Sequence, residues 1–134
     1  MTNAWYAKAK QKLAEASINW VSDTIKVYLI DTGAYTPNLT THEFLSDIPG
    51  GAIIAEATLA SKTNVLGVLD AADVAIGSVT GATVEALVIA KYTGTNGTSP
   101  LLLYFDTGTG LPFTPNTGGV NIPWDNGANK IAAI

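Results

Sequence analysis

The stretch Thr83–Tyr92, which reads TVEALVIAKY, decides the fold class. Successive side chains of a β-strand point to opposite faces, so alternate residues from Val84 to Tyr92 share one face. The opposite face carries Leu87 and Ile89 at its middle. Because the middle of the stretch is apolar on both faces, it predicts a strand at the centre of a sandwich.

Further short segments with the composition of strands lie on both sides of this stretch. We predict them at Thr24–Ile30, Ala52–Leu59, Asn64–Val68, Asp73–Ile76, Leu101–Asp106, Val120–Trp124 and Lys130–Ile134. Asn96-Gly97 and Asp125-Asn126-Gly127 are hairpin signals between neighbouring segments. Many short strands separated by turns predict a mainly β fold, an antiparallel β-sandwich or a jelly-roll-like barrel.

One segment, Asn3–Ala16, has the composition of a helix, with Thr2 or Asn3 available as the N-cap. Its apolar stripe consists of Trp5, Ala9, Leu13 and Ala16. We therefore expect a single domain over residues 1–134, with an N-terminal α-helix in residues 1–17 and the β-sandwich in residues 18–134. The helix either packs on its own domain or forms an arm that docks on a neighbouring subunit.

Composition narrows the range of partners. The chain has 134 residues, no cysteine, a net charge of −4 and no arginine, since we count seven lysines for the seven basic residues. These features argue against a disulfide scaffold and against nucleic acid as a direct partner. No apolar run approaches the roughly 20 residues of a membrane span, so we also expect no membrane partner.

The residues that could carry chemistry are few. His42 is the only histidine, and we interpret it as a residue that hydrogen-bonds its own loop; a catalytic set assembled with distant residues is the alternative. Aspartates such as Asp31 and Asp47 lie beside turn residues, which favours Asx-turns over a calcium site or a carboxylate pair. We predict no enzymatic activity, no cofactor and no metal site. A sugar-stacking platform made of Trp5, Trp20, Tyr28, Tyr35, Phe113 and Trp124 is a further alternative.

Several stretches together resemble a known family. They are Ile18-Asn19-Trp20, Asp23–Val27, Asp31–Tyr35, His42–Pro49, Val84–Ile89 and Trp124–Ile131. In this order they are similar to small structural proteins of tailed bacteriophages and prophages, and within that group to the capsid cement, or head decoration, proteins. The resemblance covers most of the chain but consists of packing and turn motifs.

The resemblance implies a non-enzymatic virion protein assembled in the host cytoplasm. Such a protein would form a homotrimer on the outer capsid surface, bind between major capsid proteins and stabilise the head. The alternative is a tail, baseplate or host-adhesion component that contacts tail proteins or surface glycans. We expect the contact elements to be the N-terminal helix and the Gly108–Asn116 loop, and the candidate contact residues are Trp5, Tyr6, Leu13, Leu111, Phe113 and Trp124.

Overall fold

The computed structural model describes residues 4–107, 111–124 and 130–133. The described strands are β1 (Ala4–Trp5), β2 (Ile25–Ile30), β3 (Ile53–Thr58), β4 (Thr63–Val65), β5 (Val68–Asp70), β6 (Val74–Ile76), β7 (Ala86–Lys91), β8 (Leu101–Phe105), β9 (Val120–Ile122) and β10 (Ala132–Ala133). One helix, α1 (Ala7–Ala14), follows β1, and short 3₁₀ turns cover Leu45–Asp47, Gly50–Ala52 and Asn96–Thr98. Over the residues that the structure describes, the protein is therefore mainly β with a single short N-terminal helix, as the sequence predicts.

The strands form three antiparallel sheets. The largest has the order β1-β8-β7-β2-β3, and the two smaller ones have the orders β10-β5-β4 and β6-β9. Buried side chains from all three sheets belong to one hydrophobic cluster. Among the described residues the architecture is sandwich-like and not a closed barrel.

The predicted central strand is confirmed. Strand β7 lies between β8 and β2, and Ala86 to Ala90 are buried although they alternate between the two faces. Strand β7 is shorter than the predicted stretch Thr83–Tyr92, because Val84 pairs with Phe113 and not with a neighbouring strand of the sheet. The hairpin predicted at Asn96-Gly97 is confirmed in that β7 pairs with β8, but residues 92–100 connect the two strands and contain a 3₁₀ turn at Asn96–Thr98, so the link is longer than predicted. Asp125-Asn126-Gly127 lies outside the described residues.

The predicted start of the helix is wrong. Ala4 and Trp5 form an edge strand that pairs with Tyr104 and Leu103 of β8, and α1 begins only at Ala7. Tyr6 is the N-cap, while Thr2 and Asn3 lie outside the described residues. The helix ends before Ala16, whose φ is +60°. The N-terminal segment thus packs on its own chain, because pairing with β8 overrides the helical preference of its first residues.

The predicted strand Asn64–Val68 is also wrong. This segment contains the turn of a hairpin, in which β4 pairs with β5 through the register Val65–Val68. Leu66 and Gly67 form the two-residue loop, and both have positive φ values.

Within the described residues, no helix is long and apolar enough to cross a membrane.

Candidate contact surface

An apolar cavity of about 830 Å³ lies beside α1. Its apolar lining includes Trp5, Leu13, Ile18, Trp20, Leu69 and Ala133. Lys10, Asn19 and Asn64 add the polar part of its lining. We call this cavity the α1 groove. Helix α1 and the residues after it line one part of the groove, and the β4–β5 hairpin and β10 line another.

Long-range hydrogen bonds hold the two tryptophans of the groove. The indole Nε1 of Trp5 donates to the carbonyl of Ala133 at 3.3 Å, and that of Trp20 donates to the carbonyl of Asp70 at 3.1 Å. Trp20 is only 3% exposed, whereas Trp5 is half-buried. Because both indole N–H groups have partners in the chain, the rings present mainly carbon surface to the groove.

The structure brings two of the six predicted contact residues together. Trp5 and Leu13 both line the α1 groove and are half-buried. Tyr6, between them in sequence, is fully buried, so its side chain is not on the surface of the chain as a contact residue must be. The reason is its position at the N-cap of α1, where its hydroxyl lies 2.9 Å from the Tyr35 hydroxyl in the core.

The other three predicted contact residues do not line this groove. Phe113 and Val84 exchange two backbone hydrogen bonds, at 2.8 and 3.0 Å, which fixes the described part of the Gly108–Asn116 loop to the start of the β7 region. Leu111 and Phe113 are half-buried, and residues 108–110 lie outside the described residues. Trp124 donates through Nε1 to the carbonyl of Ala72 at 3.1 Å. Leu111, Phe113 and Trp124 therefore do not share the α1 groove with Trp5 and Leu13.

His42 is part of a hydrogen-bond chain within its own loop. Its Nδ1 lies 2.9 Å from the Tyr35 hydroxyl and accepts the backbone N–H of Asn38 at 3.2 Å. The Tyr35 and His42 rings also stack, with centroids 5.5 Å apart. The prediction that His42 hydrogen-bonds its own loop is confirmed. Burial raises the pKa values of Tyr35 and of Tyr6, the two tyrosines of this series of hydrogen bonds.

Carboxylates near these elements satisfy backbone groups. Asp31 Oδ1 accepts the Gly33 N–H at 2.8 Å, which confirms the predicted Asx-turn there. The backbone N–H groups of Glu43 and Phe44 donate to Asp47, and they hold the pKa of that carboxyl below its ordinary value. Among the described residues, no three His, Cys, Asp or Glu side chains form a group that could hold a metal ion. Asp125 lies outside them.

A joint platform of six aromatic residues is not present. Tyr28 is fully buried, and Trp20 and Tyr35 are each 3% exposed, so three of the six rings cannot stack on a sugar at the surface. Trp5 and Trp20 share the α1 groove, but Phe113 and Trp124 do not line it. The idea fails because the strand-end aromatics are used for packing.

Sequence reasoning missed the exposed turn of the β4–β5 hairpin. Val65 is 65% exposed and Leu66 is fully exposed, although the sequence predicts a strand that contains both. The dipeptide Leu66-Gly67 was the available signal, because glycine inside an apolar strand pattern often marks a break.

No protein-family model matches the chain, and no curated protein matches it either.

Proposed function

We propose that the chain is a capsid cement protein, a non-enzymatic component of the virion of a tailed bacteriophage. It binds the outer surface of the head between major capsid proteins and stabilises the lattice, and it does so as a homotrimer. The sequence resemblance first suggests this role, and the observation that carries it structurally is the α1 groove.

The groove supports a contact function for two physical reasons. Its lining is mostly apolar, so covering it with another protein surface removes apolar area from water, at about 25 cal/mol for each Å². Its walls are also attached to the large sheet, since β1 pairs with β8 and α1 follows directly. A rigid apolar surface loses little conformational freedom on binding.

The distribution of polar side chains agrees with a structural role. His42, Asp31 and Asp47 hydrogen-bond backbone or hydroxyl groups of their own loops. Lys91 pairs with Asp23 at 3.1 Å, which joins β7 to the turn before β2. These side chains hold the loops around the sheet in place, which favours a structural protein with a rigid fold.

Co-sedimentation with separated phage particles tests the proposal. The purified chain is mixed with expanded heads, unexpanded heads and tails of the phage whose genome encodes it, and the chain alone provides the control that must stay in the supernatant. We expect the chain to pellet with expanded heads at saturating stoichiometry. Decorated heads should also release their DNA at a higher temperature than bare heads.

Two outcomes would contradict the proposal. A chain that pellets with tails would instead favour a tail, baseplate or adhesion component. A chain that stays in the supernatant with all three particles would remove the virion role.

A further inference from the structure

The tip of the β4–β5 hairpin has a backbone that disfavours the residue it carries. Leu66 has φ +53° and Gly67 has φ +83°, so both residues of the two-residue loop occupy the left-handed region. Glycine and asparagine are preferred at such positions, whereas a leucine there brings its Cβ too close to the following carbonyl. The turn itself therefore does not account for leucine at this position.

The same tip exposes apolar side chains. Leu66 is fully exposed and Val65 is 65% exposed, and they are two of the three large hydrophobic residues that are exposed in the described part of the chain. The segment from Thr63 to Leu69 contains no charged residue. We call Val65-Leu66-Gly67 the hairpin tip, an apolar projection whose backbone strain points to a functional contact.

The α1 groove adjoins this hairpin. Asn64 and Leu69, on the two strands next to the tip, both line the groove. Its volume of about 830 Å³ lies in the range of pockets that enclose whole ligands, roughly 300–1,000 Å³. The groove is therefore large enough for a complete hairpin tip and not only for one side chain.

We propose that the hairpin tip of one copy of this chain inserts into the α1 groove of a second copy. Each copy carries both the projection and the groove, so a second copy covers both apolar surfaces, whereas a foreign partner would have to supply two unrelated ones. A head-to-tail contact of this kind closes into a ring when its rotation allows. The inference rests on the proposed function only in naming the contact that would form its homotrimer.

Charge also favours a second copy. Helix α1 carries Lys8, Lys10 and Lys12, three of the seven lysines, which leaves four lysines against eleven acidic residues, a net of −7, in the rest of the chain. Lys10 lines the groove, and no ion pair joins it to another described residue. Lys8 and Lys12 already lie 3.9 and 3.6 Å from Glu43, so Lys10 is the positive charge that remains at the groove to attract the acidic remainder of an approaching copy.

Leu66→Asn is the sharpest test on the side of the tip. Asparagine tolerates the left-handed conformation, so the variant should fold at least as well as the wild type while it lacks the apolar projection. Sedimentation velocity over a range of concentrations should show the dissociation constant for self-association rising at least about tenfold. Ser61→Asn is the matched control, because exposed Ser61 also has φ +53°, and its self-association should stay at the wild-type value.

Ala14→Gln tests the groove. Ala14 is exposed at the end of α1 and lines the groove, so a longer, uncharged side chain that suits a helix should block entry of the tip. Each variant alone should associate weakly. An equimolar mixture should form a one-to-one complex, because the Leu66→Asn copy retains an open groove and the Ala14→Gln copy retains a tip.

The inference is overturned if the wild-type chain is a monomer at every concentration, or if Leu66→Asn associates as the wild type does. It is also overturned if the mixture shows no complex. Binding of the wild-type chain to expanded heads distinguishes this failure from that of the proposed function. Unchanged self-association of Leu66→Asn, together with head binding by the wild-type chain, would refute the tip-in-groove contact and leave the cement role standing.

Discussion

Leu29, in the middle of β2, and Leu66, at the tip of the β4–β5 hairpin, are the same residue in opposite surroundings. Leu29 is fully buried and is paired on both sides, with Ala55 of β3 and Leu87 of β7. Leu66 is fully exposed on a left-handed backbone. The buried leucine of the central sheet therefore stabilises the fold, whereas the exposed leucine of the hairpin contributes no burial to the stability of a single copy.

Truncation of each leucine to alanine should give the largest difference between the two regions. Leu29→Ala removes buried methyl groups and leaves a cavity, so we expect a loss of about 2–5 kcal/mol in the free energy of unfolding. Leu66→Ala keeps a Cβ at the same φ and removes only atoms that are exposed in the single copy, so at protein concentrations too low for self-association its effect should stay within about 0.5 kcal/mol. Urea denaturation measures both, and equal losses would refute the contrast.

Alkaline pH should destabilise the fold through the buried tyrosines of the core, whereas the β4–β5 hairpin contains no tyrosine. Burial raises the pKa values of Tyr6, Tyr28 and Tyr35, and that of Tyr104 to about 12, because the phenolate form is disfavoured in the core. The folded state therefore holds these protons more tightly than the unfolded state, whose tyrosines titrate near 10. The associated stability is complete below pH 10 and is lost as pH rises through the folded values.

At pH 11 we expect Tyr104, whose pKa is raised to about 12, to lower the free energy of unfolding by about 1 kcal/mol relative to pH 8. Urea denaturation at both pH values measures the difference, and absorbance at 295 nm shows whether tyrosine ionisation accompanies unfolding. Tyr28→Phe should reduce the pH dependence by one tyrosine. Ionisation of all the tyrosines in the folded protein near pH 10 would contradict the prediction.

Two matched Tyr→Phe substitutions should sharpen the comparison within the core. Tyr35→Phe removes a hydroxyl that lies within 2.9 Å of both Tyr6 and His42, so it should cost about 1–3 kcal/mol. The buried hydroxyl of Tyr28 has no hydrogen-bond partner among the described residues, so Tyr28→Phe should be neutral or stabilising by up to about 1 kcal/mol. Thermal unfolding at neutral pH measures both, and a reversed order would contradict the assigned bonds.

The sequence predicts the central sheet well and the hairpin poorly, for a physical reason. Strand β7 is apolar on both faces, and that pattern is local and specific. The hairpin turn at Leu66-Gly67 has no local signature beyond one glycine, since leucine argues against a left-handed conformation. Because leucine disfavours the backbone conformation of Leu66, conformational preferences along the sequence do not predict a turn there.

The groove shows the same limit. Trp5 and Leu13 lie on the predicted helical stripe and both line the groove, although Trp5 lies in a strand. The rest of the lining depends on long-range pairing, such as the bond between Trp5 and Ala133, which are 128 residues apart. Composition and spacing report on neighbours along the chain, so a surface assembled from distant segments emerges only with the fold.

The backbone N–H of Asn38 determines which groups donate in the hydrogen bonds that link Tyr6, Tyr35 and His42. The N–H of Asn38 can only donate, so the Nδ1 atom of His42 is an acceptor, and the neutral imidazole carries its hydrogen on Nε2. Since Nδ1 accepts, the Tyr35 hydroxyl donates to it, and the Tyr6 hydroxyl donates in turn to Tyr35. The polarity of three side chains is thus oriented by a single peptide group, and nitrogen-15 shifts of the imidazole ring would reveal one tautomer where a free histidine shows two.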